Sequence, residues 1–126
     1  YEKGVVDQPE FDRVMYESHL VFTPSVIRTL TADGNTETYG ISKSSGNIPD
    51  IVRFARPCIL PRALAIPDAI GSSTFQYETV GEIVTWLHSI AGDPSNYASL
   101  LEKARNNSRY YTIESIRERD PALFGQ

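Results

Sequence analysis

Short apolar runs alternate with segments of helical period along this chain, and few architectures accept that alternation. The clearest run is Cys58-Ile59-Leu60, enclosed by Pro57 and Pro61. It is too short for a helix and apolar at every residue, the pattern of a strand covered on both faces. His19 to Thr23 reads as an earlier buried strand, stopped by Pro24-Ser25, and Thr74 to Tyr77 as a third, edge strand. Val5 and Val6 read as the stub of an extended segment. Helix signals fall between the strands. Asp7-Gln8-Pro9-Glu10 has a capping acid, a proline in the first turn and an acid behind it, and Phe11, Val14 and Met15 supply an apolar side. Asn47 is placed to cap a short helix carrying Ile48, Ile51, Val52 and Ala55, which Arg56-Pro57 ends.

The last third is helical. Thr79-Val80-Gly81-Glu82 is a capping box, and Val80, Ile83, Val84, Leu87 and Ile90 share one face. Gly92-Asp93-Pro94 ends that helix and starts another, on which Tyr97, Leu100, Leu101 and Ala104 line one side. Thr112 opens a last short helix bounded by Pro121. The expected class is α/β: a small parallel sheet with helices on both faces and a C-terminal helical segment. Three strands are few for such a sheet, and the chain does not begin with Met. We therefore expect residues 1–126 to form a single domain, incomplete at its N-terminus.

Composition narrows the function classes. With 40% hydrophobic and 22% charged residues the chain is of ordinary globular make-up. A net charge of -4 argues against general nucleic-acid binding, which needs basic stripes that displace counterions. Cys58 has no partner for an internal disulfide and reads as a small buried residue; a reducing, cytoplasmic setting suits it. No apolar run reaches the ~18 residues of a transmembrane helix. Tyr1-Glu2-Lys3-Gly4 does not read as a signal peptide.

Val26 to Gly46 is long, polar and rich in Thr, Ser and Gly, with Asp33-Gly34-Asn35 as a turn. A loop of that length in a small domain is expected to line a site. Its best part is Gly40-Ile41-Ser42-Lys43-Ser44-Ser45-Gly46, running into the helix at Asn47. Glycines let backbone approach a ligand, serine hydroxyls and free helix-start amides donate to phosphate, and Lys43 adds charge. The competing reading is a mobile polar loop. Asp50, in the first turn of that helix, suits either two ribose hydroxyls or the helix dipole alone.

Other signals carry less. Asp33-Gly34-Asn35-Thr36-Glu37 has the opening acids of a calcium loop, but Thr38 and Ser44 replace its glycine and closing glutamate. His19 and His88 have no Cys or acid at ligand spacing, and no Asp-x-Asp pair exists to hold a metal–diphosphate complex, so no metal site is expected. Trp86 beside an apolar helix face reads as packing.

Taken in order, the segments from about Glu10 to about Arg117 resemble the nucleotide-sugar-binding domain of two-domain glycosyltransferases, the Rossmann-like C-terminal half of a GT-B fold. Glu10 to Ser25 is similar to the family's helix and strand ending in Pro-Ser. Asp50 to Leu60 is similar to its acid, small-residue helix, proline and buried strand, and Ile66-Pro67-Asp68 to the Ile-Pro-acid that follows. Tyr77 to Ala104 looks like its closing helices. The resemblance implies a nucleotide-sugar donor, no separate cofactor, Asp50 on the ribose, and Ser42, Lys43, Ser44, Ser45, Gly46 and Asn47 facing diphosphate and sugar. It implies a glycan or lipid acceptor bound by an upstream N-terminal domain, and a peripheral position at a membrane only through parts outside this chain.

The family also carries a sugar-contacting acid eight positions before the ribose acid. Glu37-Thr38-Tyr39-Gly40 resembles its setting and makes Glu37 the catalytic candidate, yet Glu37 lies thirteen positions before Asp50 and the eighth is Ser42. Arg53 and Arg56 stand where the family prefers Ala and Gly, and could offset diphosphate charge or face solvent. The family's basic diphosphate pair would precede Tyr1. A non-catalytic nucleotide-sugar-binding or interaction module of the same fold is the second reading, favoured by the altered acid spacing. A receiver-like phosphorylation module ranks last, because its clustered acids and strand lysine are missing.

Overall fold

The computed structural model describes Gly4 and residues 6–125. Of the expected Val5–Val6 stub, Val5 lies outside the described residues and Val6 is in no strand. Helix α1 spans Gln8–Glu17, and the Asp7 carboxylate accepts from the Glu10 N–H at 3.0 Å, as its sequence signal predicts. Strand β1 is only Val21–Phe22, and Phe22 is 51% exposed. The buried strand expected over His19–Thr23 is therefore a short edge strand. It pairs on one side alone, so half of its surface stays open.

The segment expected as one long loop holds a hairpin instead, with β2 (Arg28–Leu30) antiparallel to β3 (Thr36–Thr38). Asp33 ties the turn by accepting from the Thr31 hydroxyl and from the Asn35 amide, the latter at 2.8 Å. Gly34 takes φ +82, the left-handed closing position of a short hairpin loop. Helix α2 (Asn47–Phe54) follows and ends at Ala55 in left-handed conformation, φ 49. Asn47 does not cap it. Gly46 occupies the N-cap position, and no side chain accepts from the helix start.

Strand β4 (Cys58–Pro61) lies between β1 and β5 (Thr74–Tyr77), parallel to both. Cys58 and Leu60 are fully buried and pack with Ile51 of α2 and with Leu64. Ile59 and its register partner Phe75 point to the opposite side. There Phe75 stacks on Trp86 of α3 (Val80–Gly92), ring centroids 4.8 Å apart. The protein is thus an α/β fold with a small three-stranded parallel sheet and helices against both faces.

Helix α3 is capped by Thr79, which accepts from Glu82 N–H at 3.3 Å, while the Glu82 carboxylate accepts from Glu78 N–H at 2.9 Å. On the face shared by Val80, Ile83, Val84, Leu87 and Ile90, Ile83 is buried while Val80, Val84 and Leu87 are exposed. A sheet ending at β5 is too narrow to cover them. Helix α4 (Pro94–Arg109) runs back over the body. Its Asn107 side-chain amide bonds the Ser72 and Ser73 hydroxyls of the 3-10 helix Asp68–Ser73 that links β4 to β5. Its Ser108 hydroxyl donates to Val52 O of α2 at 2.7 Å. Helix α5 (Ile113–Arg119) and a 3-10 turn, Pro121–Phe124, complete the C-terminal helical segment. Among the described residues no helix is long and apolar enough to cross a membrane.

Candidate functional site

In a parallel sheet with helical crossovers, ligands gather outside the carboxyl ends of the strands. Two adjoining hollows lie at that edge here. The first, about 400 Å³, is lined by Gly40, Lys43, Ser44 and Ser45 of the loop, by Ile48 and Pro49 of α2, and by Ala65 and Pro67 after β4. The second, about 360 Å³, lies between Ser25 and Val26 after β1, Thr29 and Tyr39 of the hairpin, and Ser45, Gly46 and Asn47. Ser45 forms the wall between them and is only 7% exposed.

Local chemistry explains why the loop holds this shape. The Thr38 carbonyl accepts from Ile41 and Ser42 N–H, Gly40 N–H donates to Lys43 O at 2.8 Å, and Thr38 N–H donates to Ser42 Oγ at 2.8 Å. Gly40 sits at φ +83 against Ala65, where any Cβ would lie 2.6 Å from the Ala65 carbonyl oxygen. This position accepts glycine alone. The loop is a folded turn that packs on the segment after β4.

Beyond the turn the backbone has no internal partner. The N–H groups of Ser44, Ser45, Gly46 and Asn47 donate to no described residue. Four free donors in succession, the last at the uncapped positive end of α2, form a surface that favours oxyanions. Ser45 Oγ, which has no hydrogen-bond partner among the described residues, adds to it; Thr29 Oγ1 is also without a partner but is buried away from the surface.

The predicted residues divide. Lys43, Ser44, Ser45, Gly46 and Asn47 come together around the two hollows. Ser42 does not join them, because its hydroxyl is spent on Thr38. Glu37 approaches through Lys43: its carboxylate is 2.9 Å from Lys43 Nζ, which also stands 5.4 Å from the Tyr39 ring centroid. The Glu37 hydrogen bond holds the Lys43 ammonium above its ordinary pKa. Asp50 lines neither hollow, and its carboxylate makes no hydrogen bond to a described residue. Arg53 and Arg56 turn away to α1. Arg53 pairs with Asp12 at 3.0 Å, and Arg56 donates to the Met15 and Tyr16 carbonyls, capping that helix. Neither reaches the loop.

Sequence reasoning missed Thr29, Tyr39 and Ser25. Their signal was the Thr-rich pattern either side of Asp33-Gly34, which marks a hairpin and hence a wall opposite the loop.

No known protein-family model matches this chain, and no curated protein or solved structure is significantly similar to it. The arrangement of donors is therefore the ground for a functional reading. Among the described residues no group of three His, Cys, Asp or Glu side chains is placed to hold a metal ion.

Proposed function

We propose that this chain is the nucleotide-sugar-binding part of a glycosyltransferase, with the donor's diphosphate on the loop before α2. The observation that carries the reading is the run of unpaired amides from Ser44 to Asn47, opening beside Lys43 at the carboxyl edge of a parallel sheet. Diphosphate oxygens would satisfy these donors, and Lys43 adds the one positive side chain that lines the hollow among the described residues. A further hollow, lined by Ile48, Pro49, Val52, Arg53, Pro67 and Tyr111, shares Ile48, Pro49 and Pro67 with the first, and its mostly apolar wall suits a flat base. Leaving-group stabilisation is the chemistry such a site supplies: donors fixed in place before charge develops on the diphosphate. The acceptor, a glycan or a lipid, would be held by an upstream domain, and a cytoplasmic setting remains the expectation.

One observation favours the second reading, a non-catalytic binding module. Neither hollow is lined by a carboxylate among the described residues, and Glu37 is engaged with Lys43. Both readings share the nucleotide site. Calorimetry with UDP and GDP tests it. Binding on the order of millimolar or tighter is expected, weakened several-fold in Lys43→Met; no binding of either by this chain would remove the proposal.

A further inference from the structure

Helix α3 has 13 residues, and Glu82 and His88 are its only ionisable side chains. A helix that lies on a surface normally carries charge on its open side. Ile83 is buried and Trp86 stacks on Phe75, which seats α3 on the sheet. Yet Val80, Val84 and Leu87 are exposed by 73%, 48% and 37%. Their spacing of four and three residues makes them one stripe along the helix. Gly81, His88 and Ala91 border the stripe and are exposed too, so no carboxylate, lysine or arginine of α3 stands in it. Glu82 lies on the far side of the helix, where its carboxylate accepts from Glu78 N–H at 2.9 Å and approaches Arg62 at 3.5 Å.

The sheet adds to this apolar surface. Phe22 is the register partner of Ile59, and Ile59 of Phe75, so Phe22 lies on the sheet face that carries α3. It is half-exposed on β1, an edge of that sheet. The face therefore presents an apolar ridge, α3, and a bare apolar shelf, Phe22.

We infer that this face joins two copies of the chain, with α3 packed antiparallel on α3 of the partner subunit across a two-fold axis. The stripe is self-complementary: with Val84 on the axis, Val80 of each copy meets Leu87 of the other. Charge favours this occupant. Each chain has a net charge of -4, which opposes association through any acidic surface, whereas the stripe offers no carboxylate to repel its own image. The two helix dipoles also run in opposition. Size sets the strength. A pair of helices about 20 Å long, with the two Phe22 shelves, buries roughly 500 Å² a side, below the ~800 Å² of a standard interface. A dissociable dimer follows, with a dissociation constant on the order of 10–100 µM. Neither Phe22 nor any residue of α3 lines the two hollows beside the loop, so this inference stands apart from the nucleotide reading.

Sedimentation equilibrium of this chain from about 5 to 500 µM, spanning that constant, tests it. Reversible dimerisation is expected, with Phe22→Ser weakening it a few-fold. Val84→Glu and Val84→Lys should each weaken it at least tenfold, because a residue on the axis meets its own copy. Both variants should keep the parent's circular dichroism, since Val84 is half-exposed. An equimolar mixture of the two should associate more tightly than either alone, because only the mixed pair brings opposite charges to the axis. Ile113→Glu, on the exposed part of α5, should dimerise like the parent. A parent that stays monomeric throughout would overturn the inference and leave the stripe to a different partner. A dimer that survives Val84→Glu, or is lost equally in Ile113→Glu, would also overturn it, as would a mixture no tighter than its components.

Discussion

Gly40 rests directly on the backbone of Ala65, so close that a methyl group on it would lie 2.6 Å from the Ala65 carbonyl oxygen. This contact joins the loop before α2 to the segment after β4 and sets the width of the first hollow. Gly40→Ala adds a backbone clash to an unfavourable left-handed conformation. We expect a loss of roughly 2–4 kcal/mol, measured by urea unfolding, with weakened nucleotide binding in whatever protein remains folded. Ala65→Gly should leave stability within about 1 kcal/mol, because it removes no contact on which Gly40 depends.

The pairing of Lys43 with Glu37 leads to an unusual expectation. If Glu37 serves to hold Lys43 at the rim, Glu37→Gln frees the ammonium for phosphate. Diphosphate affinity should rise about two- to fivefold at low salt, the scale of an exposed ion pair, and lose this advantage as salt is added. If the proposed sugar-transfer activity is found in a longer protein carrying this chain, loss of turnover in Glu37→Gln with affinity retained would give Glu37 the catalytic role that the resemblance implies.

Asp50 separates two roles that its position in the sequence left open. It lies in the first turn of an uncapped helix, outside both hollows. Asp50→Asn should cost about 0.5 kcal/mol of stability through the helix dipole and change nucleotide affinity by less than about twofold. A tenfold loss of UDP or GDP affinity with unchanged stability would place the ribose on Asp50 instead.

These outcomes reflect how far residue order alone reaches. The caps at Asp7, Thr79, Asp93 and Thr112 were legible because each satisfies amides within three residues of itself. The β4 strand was legible because Cys58-Ile59-Leu60 is apolar on both faces. Exposure of Phe22, Val80 and Val84 was not, because it depends on how many strands lie beside β1 and β5. The direction of Asp50 was equally hidden. It follows from the rotation of α2 about its axis, which burial of Ile51 and Phe54 decides. The turn before α2 was marked by its glycines and serines, but the opposing wall required seeing Arg28–Leu30 and Thr36–Thr38 as strands rather than loop.

Cys58 provides a check on the core that does not involve ligand. Burial pushes its thiol up from 9.0 to about 11, against a smaller opposing effect of the Thr74 hydroxyl 3.1 Å away. The folded state therefore holds the neutral thiol while the unfolded chain ionises. The stability this represents is complete below pH ~9 and is lost as pH rises toward ~11, by about 2–3 kcal/mol. Urea midpoints of the parent and Cys58→Ala, followed from pH 8 to 11, should converge over that window; parallel curves would mean that the thiol is not held neutral by the core. At pH 8 the folded protein should resist thiol reagents that label it rapidly in urea.

The central claim is that the free amides before α2 bind the phosphates of a nucleotide. An amide-resolved NMR titration of this chain with UDP, and separately with GDP, tests it most directly. The account predicts saturable shifts largest at Ser44, Ser45, Gly46 and Asn47, reduced in Lys43→Met. Shifts absent from those four amides while ligand binds elsewhere, for instance beside Trp86, would contradict it.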